Sequence, residues 1–197
     1  MIVKILEAPT QKDWCEVKRR ALVTIGKEMV TEPSFEWKQK MLEARHSPIR
    51  RLFFSFYIEC PYWVSVHLCR HIHAQPYVKS QRNDRQSDYD RTKAPQDATV
   101  SMIWDMNAEE LITIANKRLC KQASAETWLI VRRMCDLVIE QLPEFETELV
   151  PNCVRNGGVC HEMFSCKSEK CVNNTPNHTE KCVNNTLNYT EKCGAGE

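Results

Sequence analysis

Glycine is scarce in this chain, with five among 197 residues. None of them sits in a Gly-rich phosphate-binding loop, so a Rossmann or kinase-like nucleotide site has no support. An excess of charge of one sign is also lacking, since 27 Lys and Arg face 26 Asp and Glu for a net charge of +1. A chain so balanced has no overall field to hold a polyanion, which argues against nucleic acid or an anionic membrane as partner and leaves room for a local basic site only. No apolar run approaches the roughly 20 residues of a membrane span. The first residues carry acids and Pro9 where a secretory signal needs an apolar stretch. We therefore expect a cytoplasmic protein with no membrane partner. His161-Glu162 lacks the second histidine of a metalloprotease helix, so protease chemistry has no support either.

Cysteine, by contrast, is abundant, with eleven in the chain. In a cytoplasmic protein a disulfide framework is a weaker expectation than reduced thiols or metal ligands. Cys15, Cys60, Cys69, Cys120 and Cys135 lie in apolar-periodic stretches, where cysteine behaves as a small hydrophobe. The other six fall between Cys153 and Cys193.

The length suits one domain with an appendage. Residues 1–8 alternate apolar and polar and predict a strand that Pro9 stops. Thr10 with Asp13 resembles a capping box, and Trp14, Val17, Ala21 and Leu22 form a helical stripe up to Gly26. Ser34 caps a second helix carrying Phe35, Trp37, Met41 and Leu42. Leu52 to Cys60, rich in aromatic and β-branched residues, predicts the best strand of the chain. Pro61 then opens a helix that leads through His67 and Arg70 and is broken at Pro76. Residues 79–93 hold almost nothing apolar and predict a loop. A short strand is expected at Thr99 to Trp104, a helix after Asn107 with Glu110 near its start, and a long helix over about 124–142 that ends at Pro143.

Chemistry concentrates in residues 46–82 and 107–126. Arg70 and His71 end one element, and Ser80 and Arg82 follow past Pro76. Two guanidiniums and a hydroxyl that converge make a bidentate site for a phosphate or a planar imide. The same loop can equally be a solvated face.

These residues resemble the flavin-dependent thymidylate synthases. Members of that family carry a turn Ser-Pro-Phe-Glu-His, an aromatic strand, a Pro-led helix and the signature RHRxxSxNExSxRY. The same order stands here as HSPIRRLFFSFYIECPYWVSVHLCRHIHAQPYVKSQRN, with Arg70, His71, Ser80 and Arg82 on the family's Arg, His, second Ser and final Arg. Further on, the family's Asn-Ala, the Arg eleven residues after that Asn, and Ala-Gln-x-Glu are met by Asn107-Ala108, Arg118 and Ala123-Ser124-Ala125-Glu126. The chain departs from the pattern at Ile72, Gln75, Tyr77-Val78 and Asn83, and has Arg50-Arg51 in place of Glu-His and His67 in place of a glutamine. Losing a carboxylate at Val78 while gaining Arg50 and Arg51 makes the local site more cationic.

The resemblance implies an α/β (α+β) fold over residues 1–150, a twisted, largely antiparallel sheet with flanking helices, assembled as a homotetramer with active sites between subunits. It implies conversion of dUMP to dTMP, with methylenetetrahydrofolate as carbon donor and FAD as hydride carrier reduced by NADPH. Carried over by position, Arg82, Ser80, Arg118 and His67 form the dUMP set, with Arg118 and Ser80 as the catalytic pair. Arg70, His71, Arg51 and Asn107 form the FAD set. Two other functions stay open: a related transferase acting on another pyrimidine nucleotide, and a non-catalytic nucleotide-binding protein with a zinc-stabilised C-terminus.

The zinc candidate lies in the extension 151–166, where Cys153, Cys160, His161 and Cys166 supply three thiolates and an imidazole. Reduced, partly buried cysteines and a redox pair are the competing readings. Residues 167–197 repeat EKCVNNTPNHT and EKCVNNTLNYT before a final EKC, and predict a low-complexity disordered tail.

Overall fold

Two long strands organise the molecule because their side chains alternate between core and surface. In the computed structural model, which describes residues 1–85 and 90–163, the strand β2, Phe53–Pro61, buries Phe54, Phe56, Ile58 and Cys60. Its partner Thr99–Asn107, here β4, buries Val100, Met102, Trp104 and Met106. They pair antiparallel along their whole length, from Phe53 opposite Asn107 to Pro61 opposite Thr99. The period-2 pattern thus puts both apolar sets on one face. The first strand β1, Ile2–Glu7, pairs antiparallel with β2, and a short strand β3, Gln75–Val78, pairs antiparallel with β4. The sheet order is β1-β2-β4-β3.

The aromatic strand agrees with the sequence and the antiparallel sheet with what the resemblance implies, but two boundaries differ. The Pro61 helix, α3 at Tyr62–Leu68, ends before His71, and Pro76 lies in a strand rather than at a helix break. Proline lacks an N–H for the ladder and is tolerated only where one side of the strand is unpaired, which an edge strand provides. β4 runs three residues beyond the expected Trp104 because Met106 extends the buried alternation.

The helices begin where capping chemistry places them. Before α1, Gln11–Val23, Asp13 accepts hydrogen bonds from the Thr10 backbone N–H and hydroxyl at 3.0 and 2.8 Å. The backbone bond is the main reason that the Asp13 carboxyl is held below its usual range. Gly26, at φ +67°, supplies the left-handed residue after α1. Ser34 caps α2, Phe35–Glu43, through a 3.3 Å bond from Trp37 N–H. Asn107 caps α4, Ala108–Arg118, accepting from Glu110 N–H at 3.0 Å, and Ser124 caps α5, Ala125–Gln141. A last helix α6 spans Asn152–Arg155.

The core forms where Leu111, Ile112, Ile114 and Ala115 of α4 and Ile130, Val131, Met134 and Val138 of α5 join the inner sheet face, with Trp14, Leu42 and Phe145 closing one side. Burial pushes the Cys135 thiol up to about 12 and the Cys60 thiol up to about 11, as befits cysteines used as small apolar side chains. Asn116 fastens α4 to the following chain by donating to the Glu148 and Val150 carbonyls at 3.0 and 2.6 Å. Among the described residues, no helix is long and apolar enough to cross a membrane.

Candidate active site

The turn between α3 and β3 delivers His71 onto α4. Its backbone is fixed at both sides, His71 N–H donating to the Leu68 carbonyl at 3.1 Å and Ala74 N–H to the His71 carbonyl at 3.1 Å. The imidazole lies 6.1 Å from the Trp104 ring, centroid to centroid. There it meets Arg118, whose Nε–H donates to His71 Nε2 at 2.9 Å. On the other side of the ring, Glu110 Oε1 stands 3.5 Å from Nδ1, with both side chains at most a tenth exposed.

Arg70 sits close enough that its charge, after burial itself, helps lower the Arg118 pKa. Two guanidiniums held near each other repel unless an anion joins them, so the arrangement is poised for a negatively charged ligand. Among the described residues, neither terminal nitrogen of Arg118 makes a hydrogen bond within the chain. Those two amino groups remain as a planar, bidentate edge.

The other residues of the expected set lie elsewhere. Ser80 and Arg82 follow β3, whose strand runs from Gln75 opposite Asp105 to Val78 opposite Met102, with Lys79 N–H bonded to the Ser101 carbonyl at 2.9 Å. Four residues of strand carry the chain roughly 13 Å, so the signature is drawn out along the sheet edge. Arg82 is exposed and forms a two-point ion pair with Asp84 at 2.9 and 2.6 Å, while Ser80 Oγ accepts from Arg82 N–H at 3.3 Å.

Arg51 lies 3.8 Å from Asp13 of α1, and Arg50 pairs with Glu109. His67 is exposed and packs edge-on against Trp63. Asn107 spends its side-chain oxygen on the α4 cap. His71, expected to face the flavin, has both ring nitrogens engaged inside the chain. Glu110 was visible in the sequence only as an acid three residues after the cap; its burial and its imidazole partner come from tertiary packing.

The Cys/His extension forms a pocket of about 140 Å³ in which Cys153, Cys160 and His161 stand with Cys120, Lys117 and Lys121. Burial raises the Cys120 thiol, with Cys153, Glu162 and Cys160 adding to it. Among the described residues no three of His, Cys, Asp and Glu are placed to hold a metal ion. Glu162 is drawn to the Lys117 ammonium at 3.2 Å. The expected zinc set is therefore not assembled by its three described members. Cys166, the 167–197 tail and residues 86–89 of the polar loop lie outside the described residues.

With this geometry in view, comparison with known proteins gives two findings. Residues 87–144 match the family model of thymidylate synthase complementing protein. This bears out the resemblance to the flavin-dependent family, and the matched stretch spans β4, α4 and α5, with Asn107, Glu110 and Arg118 inside it. His71 and the rest of the signature precede it. The fold is similar to that of the UMP/dUMP methylase PolB from Streptomyces cacaoi, solved with 5-Br dUMP, at a TM-score of 0.60 and 15% identity, over 76% of this chain and 96% of that one. No curated protein matches the sequence.

Proposed function

We propose that this chain is a methyltransferase of the thymidylate synthase complementing type that converts dUMP to dTMP. The observation that carries the reading is the convergence of Arg118, Arg70 and His71 beside β4, with a bidentate guanidinium edge free for a ligand. The similarity of residues 87–144 to the family model and the shared fold support it.

In this reading Arg118 addresses the uracil imide or the nucleotide phosphate with its two terminal amino groups. A cation fixed there stabilises the negative charge that grows on the pyrimidine as it is reduced, and because it is already in place, no reorganisation is needed at the moment of reaction. Arg70, exposed at the start of the same turn, supplies a second charge-assisted contact to phosphate. The donor set suits phosphate-bearing groups, which dUMP and FAD both have. FAD, when bound, supplies the hydride chemistry, with methylenetetrahydrofolate as carbon donor and NADPH as reductant. His71 belongs to the support of Arg118 rather than to the flavin contact.

We further propose that the protein acts in the cytoplasm as a homotetramer. Tyr77 of β3 and Ile103 of β4 face each other in register and are exposed, as is Phe53 of β2, on the sheet face opposite the helices. Such a face suits a second copy. Ser80 and Arg82, carried away from Arg118 along the sheet edge, then serve the site of a neighbouring subunit.

The test is the visible absorption spectrum of the purified protein before and after dUMP, followed by tritium release from dUMP labelled at carbon 5. A flavin band perturbed by dUMP, with tritium release requiring methylenetetrahydrofolate and NADPH, is the expected result. No flavin uptake from excess FAD and no release would remove the reading. A second reading, methylation of UMP, is favoured by the UMP/dUMP substrate pair of the PolB neighbour together with the altered signature at Ile72, Gln75 and Val78. Competition of UMP against dUMP separates the two.

A further inference from the structure

We propose that Glu110 is the positioning residue of Arg118, acting through His71, so that a carboxylate in the first turn of α4 orients a guanidinium at the end of the same helix. The inference rests on the reading of Arg118 as the nucleotide-binding arginine.

The chain of contacts fixes the chemistry. A guanidinium has only donors, so when Arg118 Nε–H points at His71 Nε2 at 2.9 Å, that nitrogen must present its lone pair. The imidazole proton then sits on Nδ1, the nitrogen 3.5 Å from Glu110 Oε1. The opposite tautomer would set an N–H against an N–H and leave Nδ1 without a proton to offer the carboxylate. Glu110 therefore selects the tautomer that Arg118 needs, in the way an outer carboxylate sets a histidine tautomer at metal and triad sites.

The geometry of the helix shows why a relay is required. Glu110 and Arg118 are eight residues apart, roughly 12 Å along the helix axis, too far for a direct ion pair. His71 enters from the turn before the edge strand and bridges the two turns of α4, with Trp104 beside its ring. Arg118 is thereby held by Nε rather than by its terminal nitrogens, the one mode of anchoring that leaves the bidentate edge open. A long, rotamer-rich side chain held in this way loses little further freedom when a ligand binds. Glu110 itself is only 6% exposed, and a carboxylate so buried needs a partner. Its backbone N–H is already committed to the Asn107 cap.

Two independent measurements test this. Nitrogen-15 spectra of the intact protein should show His71 protonated on Nδ1 and a slowly exchanging Arg118 Nε–H. In E110L that Nε–H signal should broaden or vanish and the His71 tautomer should become mixed. This readout needs no substrate, so it stands even if the methyltransferase reading fails. In binding assays E110L should weaken dUMP about tenfold and E110Q, which keeps an oxygen facing Nδ1, should recover most of that. In the R118A background E110L should cost nothing further. His71 protonated on Nε2, an Arg118 Nε–H unchanged in E110L, or additive losses in the double variant would each overturn the proposal. If wild-type protein shows no dUMP binding while the spectra come out as expected, the positioning stands and the proposed substrate falls.

Discussion

The two halves of one short signature meet opposite fates. His71 ends in a packed corner where imidazole, carboxylate and guanidinium are held together beside Trp104, with Arg70 exposed next to it. Ser80-Arg82 ends on the surface, where Arg82 is 63% exposed and takes Asp84 as its partner. Between them β3 acts as a spacer, and the short run of sequence that reads as one motif becomes two sites facing different surroundings. Burial decides what each half can do. In the packed half, the low dielectric makes every contact strong and every orphan costly, so geometry is fixed before a ligand arrives. In the exposed half, water and salt screen the pair, and Arg82 is free to exchange Asp84 for another anion.

The largest effect should come from removing the wall of the packed half. Trp104 is fully buried on β4 and touches the His71 ring, so Trp104→Ala should destabilise the fold by about 3–5 kcal/mol through lost burial and a cavity. Urea unfolding reads this directly. A loss below about 1 kcal/mol would mean that the corner is loosely packed and that the contrast between the halves is overdrawn.

Next comes Arg118→Ala. Losing a part-buried, charge-assisted contact should weaken dUMP by about 2 kcal/mol or more, which titration calorimetry resolves as roughly a thirtyfold rise in Kd or more. Stability should change far less, because the repulsion between Arg118 and Arg70 is relieved in the same step. An unchanged Kd would move the nucleotide away from the packed half altogether.

Much of this corner was legible in the sequence, and the reason it was legible is local. Thr10, Ser34, Asn107 and Ser124 announce helix starts through their own side chains, and Leu52 to Cys60 announces a strand through its aromatic and β-branched content. The family resemblance likewise singled out Arg118 and His71, which the fold brings to within hydrogen-bond distance. What stayed hidden is non-local. β3 is four residues long and contains Pro76, so neither length nor propensity marks it, and only pairing with β4 makes it a strand. Glu110 looks like an ordinary first-turn acid until the turn before β3 brings His71 to it. Cys120 joins Cys153 and Cys160 across a separation that no spacing rule covers.

A smaller effect separates cap from cofactor contact at Asn107, the residue that links the sheet to the packed half. Asn107→Ala should lower stability by about 1 kcal/mol by exposing the first turn of α4. Asn107→Ser restores a capping oxygen and should restore the unfolding midpoint. If the serine variant is stable yet fails to take up FAD, Asn107 has a flavin role besides the cap. If both variants take up FAD equally, capping is its whole contribution.

The smallest effect on the fold, and the sharpest on the comparison, belongs to Arg82→Ala. Its ion pair with Asp84 is exposed at both ends, so the unfolding midpoint should not move. If Arg82 serves a neighbouring subunit's site, dUMP binding should nevertheless weaken, and mixing this variant with Arg118→Ala protein should regain activity once subunits exchange, because some sites then receive one intact half from each parent. Activity that does not return on mixing, in protein shown to exchange subunits, would place both arginines in one chain's site and require β3 to bend Arg82 back toward Arg118. An Arg82→Ala enzyme that binds and turns over dUMP normally would leave the exposed half as surface and the packed half as the whole nucleotide site.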